Sequence, residues 1–115
     1  MQREIGLAAH NFVEEYRNNF RKHVLGATNI ADLVFDIVPE PTNQYDRLAL
    51  AVFINGAQIG YVSKKDQAVI QSLRPELFEK PTQLRANSWG VTANGEAFWV
   101  FFGLFPEFAD PAGSF

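Results

Sequence analysis

No cysteine occurs among the 115 residues. Disulfides and Cys-based zinc sites are therefore excluded, and the absence suits a reducing compartment. Histidine is nearly as scarce. His10 and His23 stand far apart, and no His, Asp and Glu cluster has ligand spacing. Neither a metal nor any other cofactor is expected. No apolar run is long enough to span a bilayer, and the longest, Ala97 to Phe105, has the length of a strand. No leader of the charged-then-apolar kind opens the chain, since Met1–Gln2–Arg3–Glu4 leads into an amphipathic pattern. A cytoplasmic protein with no membrane partner is expected. Surplus positive charge is also missing: 10 Lys and Arg stand against 13 Asp and Glu, a net charge of −3. That disfavours broad binding to duplex, where a basic surface neutralises many phosphates. A pocket for one or two nucleotides remains open to such a chain, because it needs only a few local cations and an aromatic platform.

What is abundant is apolar material. Hydrophobic residues make up 47% and charged residues 20%, a balance that argues for one folded domain rather than disorder. Residues 3 to 22 read as an amphipathic helix, with Ile5, Ala8, Ala9, Phe12, Val13, Tyr16 and Phe20 at helical spacing. Its basic end, Arg21–Lys22–His23, complements the helix dipole. Val24–Leu25–Gly26 reads as the opening of a strand, and residues 27 to 32 as a loop. Leu33–Val38, Leu48–Ile54 and Gln58–Val62 read as strands, the last two joined at Asn55–Gly56, a strong hairpin signal. Ser63 stands where a helix cap would, with Asp66 three residues on as an approximate capping box. The helix so started runs to Leu73, with Ala68, Val69 and Leu73 facing inward and Pro75 limiting it. A connector over residues 74–81 leads to a long hairpin, Gln83–Val91 and Glu96–Leu104, turning at Ala93–Asn94–Gly95. Residues 106 to 115 read as a loosely held tail. The expected fold is β-rich α+β: an antiparallel barrel of about six strands over residues 23–105. An N-terminal helix occupies residues 1–22, and one helix follows the second hairpin.

The segment with the most chemistry is Val38 to Val62. Pro39 and Pro41 stiffen the approach to a polar turn, Thr42–Arg47. Asn43 and Asp46 can each bond their own backbone and hold that turn. Tyr45 sits between them with a flat ring and a hydroxyl. Gly60 allows close approach just before Tyr61.

In order, Glu40-Pro41-Thr42-Asn43-Gln44-Tyr45-Asp46, an Ala- and Val-bearing strand, the Gly56 turn, then Ile59-Gly60-Tyr61-Val62 and a helix resemble the HIRAN domain family. The resemblance implies an OB-like β-barrel and recognition of the 3′ end of single-stranded DNA, in the setting of DNA processing and repair. It implies that Asp46 bonds the terminal 3′-hydroxyl while Asn43 and Tyr45 surround the end nucleotide. It adds Tyr61 as a pocket residue, Lys64 and Lys65 as phosphate contacts, and Phe98 as a stacking ring. DNA-binding members also carry a basic residue and aromatics after the first-strand glycine, where this chain reads Ala27-Thr28-Asn29-Ile30.

The chemistry stands without the family. A carboxylate accepts a charge-assisted bond from a hydroxyl and repels a phosphate at the same place. Each of these residues also has an ordinary role: Asn43 and Asp46 as turn braces, Tyr45 and Tyr61 as rim residues, Lys64 and Lys65 as a solvated helix start. Of Phe98, Trp99, Phe101 and Phe102, most belong to the core. No Ser–His–Asp relay is evident, and Glu40 with Asp46 has only sequence proximity as an acid–base pair, so no enzyme is expected. Two functions follow as expectations. One is a module for single-stranded nucleic acid, DNA favoured, working beside a DNA-processing protein. The other is a protein–protein interaction module on the same barrel.

Overall fold

The computed structural model describes residues 4–8, 13–27, 33–94 and 97–105. The tail 106–115, most of the loop 27–32 and the Gly95 turn position lie outside them. Among the described residues six strands form one antiparallel sheet: β1 (Glu4–Gly6), β2 (Val34–Pro39), β3 (Leu50–Ile54), β4 (Ala57–Tyr61), β5 (Thr82–Val91) and β6 (Phe98–Gly103). Their spatial order is β1-β6-β5-β2-β3-β4. Two helices accompany them, α1 (Glu14–Phe20) and α2 (Gln67–Leu73). The protein is a β-rich α+β fold, an OB-like antiparallel barrel.

The two outermost strands meet at a seam. Leu7 pairs with Val62 in an antiparallel bridge. The Ala8 amide donates to the Tyr61 carbonyl at 2.8 Å, and the Ser63 amide donates to the Gly6 carbonyl at 2.7 Å. On its other side this segment is held by β6, with the Leu7 amide donating to the Val100 carbonyl at 3.2 Å. Residues 5 to 8 thus satisfy two neighbours and cover edges that would otherwise stand open.

Here the structure departs from the expectation of a helix over residues 3–22. The helix begins only at Glu14, and residues 4–6 are a strand. Over so few residues, Ile5 fits a helical stripe with Ala8 and Ala9 and a period of two with Leu7 equally well. Partners on β6 and at Val62, together with a glycine between, decide for the strand. The expected strand at Val24–Gly26 is also absent: Arg21–Leu25 continues α1 as a π-helical turn, closed by the Gly26 amide donating to the Arg21 carbonyl at 3.0 Å. Val24 stays buried because that turn keeps the inward row of Phe20 going.

The core lies inside the curl of the sheet. Phe35 and Ile37 of β2, Leu50, Val52 and Ile54 of β3, Leu84 of β5 and Val100 and Phe102 of β6 are all buried there. In β6 the period of two is plain. Phe98, Val100 and Phe102 point inward, while Trp99 and Phe101 remain about two-fifths exposed. Phe98 stacks on Phe20 of α1 with ring centroids 4.4 Å apart.

The β3–β4 hairpin turns as its sequence demands, with positive φ at both Asn55 and Gly56 (52° and 79°). Farther along, Val52 faces Gly60 while Phe53 faces Gln58, so Ile59 is an extra residue in β4. This bulge places Gly60 at φ 147°, beyond the comfort of a residue with Cβ, under Leu7 and Tyr16. It also re-aims Tyr61 toward the turn before β3.

A 3-10 turn, Lys64–Asp66, leads into α2. The expected capping box does not form: Ser63 makes no side-chain cap, and Asp66 Oδ2 accepts instead from the Gly6 amide at 2.9 Å. The inward face of α2 differs as well. Gln67 and Ile70 are buried, whereas Ala68 is exposed, Val69 is half-buried and Leu73 is two-fifths exposed.

Candidate functional site

The turn 40–49 is braced from within. Asn43 Oδ1 accepts from the amides of Tyr45 at 2.8 Å and Asp46 at 3.0 Å, while its Nδ2 donates to Glu40 Oε1 at 3.0 Å. Backbone bonds close the loop at both ends: the Asn43 amide to the Glu40 carbonyl, the Ala49 amide to the Asp46 carbonyl, and the Glu40 amide to the Ala49 carbonyl. From β4, the Tyr61 hydroxyl donates to the same Glu40 oxygen at 3.0 Å. Glu40 therefore ties the turn to β4.

Asp46 is fixed by two different partners. Its Oδ1 accepts from the Leu48 amide at 2.9 Å, and its Oδ2 accepts from Gln67 Nε2 at 2.8 Å. The Gln67 bond, then the Leu48 amide and nearby Lys64, hold its carboxyl below the ordinary value, although partial burial works the other way. Tyr61 shifts upward: burial first, then Glu40, outweigh a bond with Gln58 that lowers it. Tyr16 is raised by burial and by its neighbours Tyr61, Glu15 and Glu40. Tyr16 lies close to Tyr61, where α1 packs against β4.

Between the turn, the end of β4 and the 3-10 turn opens a cleft of about 400 Å³. Ala8, Ala49 and Val62 give it apolar lining, Asn43, Asp46 and Lys64 give it polar groups, and Tyr45 and Tyr61 give it both. Tyr45 is 87% exposed: its amide is pinned by Asn43 while its ring stands free in solvent. Such a ring adds nothing to the core and presents both faces to a ligand.

Five of the seven residues singled out from sequence, Asn43, Tyr45, Asp46, Tyr61 and Lys64, line this one cleft. Lys65 is exposed on the same 3-10 turn as Lys64 but is not part of the lining. Phe98 is 8% exposed and stacked on Phe20, so its ring faces the core rather than the cleft. Position in the period of two sends it inward.

Three contributors were not read from sequence. Gln67 lies 21 positions from Asp46, and its only signal was a polar residue on the i, i+3 face shared with Ile70. Glu40 opens the motif, yet its sequence suggests no role beyond an unsupported acid–base pairing with Asp46, whereas in the structure it organises the turn. Ala8 reaches the cleft because residues 4–8 run beside β4. Among the described residues, no three His, Asp or Glu side chains are grouped to hold a metal. Nor is any described helix long and apolar enough to cross a membrane. Compared with known proteins, the chain matches no protein-family model, no curated protein and no solved structure.

Proposed function

We propose that this protein is a non-catalytic, HIRAN-type module of the cytoplasm that binds the end of a nucleic-acid single strand, DNA favoured, beside a DNA-processing protein. The observation that carries this reading is the convergence of an ionised carboxylate, two tyrosines and a lysine on one cleft. Each oxygen of Asp46 accepts one bond from within the protein. A carboxylate has about four acceptor positions, so capacity is left for a hydroxyl. In this reading Asp46 accepts the terminal 3′-hydroxyl, Tyr45 stacks on the end base, Tyr61 bounds the sugar and Lys64 meets a phosphate. Stacking on Tyr45 contributes roughly 1–3 kcal/mol. A phosphate in place of the hydroxyl meets the charge of Asp46 and is rejected.

The test is the affinity of a labelled short oligonucleotide ending in a 3′-hydroxyl against the same strand ending in a 3′-phosphate. The hydroxyl-ended strand binds more tightly, and Asp46→Ala weakens it by about ten- to hundred-fold, the effect of losing a bond to a charged group. Lys64→Ala weakens both strands and flattens the salt dependence. Equal affinity for the two ends sinks end recognition.

A second reading is a protein–protein interaction module. It draws on the full commitment of Asn43 Oδ1 to turn amides and on the negative net charge. Absence of binding by either strand at high micromolar protein favours it.

A further inference from the structure

We infer that Gln67 is a positioning residue for the Asp46 carboxylate and sets the selectivity of the cleft for a hydroxyl over a phosphate. This rests on the reading of Asp46 as a hydroxyl acceptor. Among the described residues Gln67 is the one buried polar side chain, 9% exposed, at the start of a helix whose next inward residue is Ile70. Burying an amide is costly unless its hydrogens are used. Here Nε2 donates to Asp46 Oδ2 at 2.8 Å and to the Leu48 carbonyl at 3.2 Å, so both hydrogens have acceptors. The second bond fixes the amide against the backbone, and the first therefore fixes the carboxylate. With the Leu48 amide on Oδ1, the group is held from two sides beside the cleft that Asp46 helps to line, with acceptor positions to spare.

The chemistry of the donor matters. A Lys or Arg at this place would orient Asp46 equally well but would pair with it and cancel its field. An amide is neutral at every pH, so it orients the carboxylate without adding to the positive field of nearby Lys64, and leaves it a negative charge that opposes a phosphate. The lowered proton affinity of Asp46, caused first by this bond, agrees with that role.

The test has two arms. In the free protein, the Asp46 carboxyl carbon is titrated by NMR in wild type and in Gln67→Met, which keeps length and loses the donor. The midpoint rises in the variant. In binding, the preference for the 3′-hydroxyl strand over the 3′-phosphate strand shrinks about ten-fold, with the loss confined to the hydroxyl-ended strand. An unmoved midpoint or an unmoved preference overturns the inference. If a thermal melt shows Gln67→Met unfolded, Gln67→Glu replaces it. That variant keeps the shape, sets a second carboxyl against Asp46, and must raise its midpoint for the inference to stand. Wild type without end preference defeats the proposed function instead. The titration then decides by itself whether Gln67 holds Asp46.

Discussion

At Asn43 the side-chain bonds run inward, to two amides ahead and one carboxylate behind. Asp46 differs, because each of its oxygens keeps room for a further donor. The two residues look alike in sequence, since either can form a turn of its own backbone. The structure divides the work: Asn43 shapes the turn, and Asp46 faces the cleft. Asn43→Ala removes three bonds and strands two amides, so urea unfolding should report a loss of about 1–3 kcal/mol. A change within about 0.5 kcal/mol, the range of an ordinary surface substitution, would show that the turn holds itself. Asn43→Asp keeps the acceptor for both amides but sets a carboxylate beside Glu40, so it should destabilise as well. Tyr45→Ala should leave stability nearly unchanged, because the ring is exposed, while weakening any stacked ligand.

Among the elements, β1 has an influence out of proportion to its three residues. It binds β6 on one side, and its continuation at Leu7 meets Val62 on the other. It also brings Ala8 to the cleft. Ile5 is 1% exposed, so Ile5→Ala should cost about 2–5 kcal/mol in denaturant unfolding. Leu25, 48% exposed on the π-helical turn, should tolerate Ala with little change. Hydrogen exchange reads the same element directly: the amides of Leu7, Ala8 and Ser63 should exchange slowly. Fast exchange at all three would mean the seam does not close. The bulge in β4 is the other element that positions the site. Gly60→Ala meets ordinary contacts, with Leu7 at 3.7 Å, but forces a Cβ onto a φ of 147°. A loss of about 1–3 kcal/mol is expected, together with displacement of Tyr61. Stability equal to wild type would show that the backbone relaxes there freely.

For the whole molecule, the shifted groups define a stability profile against pH. Asp46 binds its proton more weakly in the folded state than at its ordinary value of 3.8. Its contribution is complete above that value and is lost as pH falls toward the lower folded one, where the native state is protonated too. Glu76, lowered by its own backbone and by Arg74, adds to the same acid limb. Tyr16 and Tyr61 act at the other end: raised above 10.0 when folded, they contribute fully below that value. They lose that contribution as pH climbs through the raised ones. Tm followed from about pH 3 to about pH 11 should show both limbs, with Asp46→Asn flattening the acid limb and Tyr61→Phe the alkaline one. Identical profiles for the variants would remove these groups from the account. The sequence by itself determined the β-rich class, the Asn55–Gly56 hairpin, the existence of strands near 33–38, 48–54 and 58–62, and the residues of the turn. Those features are local: alternation, β-branching, prolines and turn chemistry act over a few neighbours. Only the tertiary structure decided that residues 4–6 are a strand, that Phe98 turns inward, and that Gln67 reaches Asp46. Each depends on a partner far along the chain: Val62 and β6 for the first, Phe20 for the second, and Asp46 itself, 21 positions away, for the third. A period read over three residues cannot separate strand from helix, and no local pattern states which buried amide will meet which carboxylate.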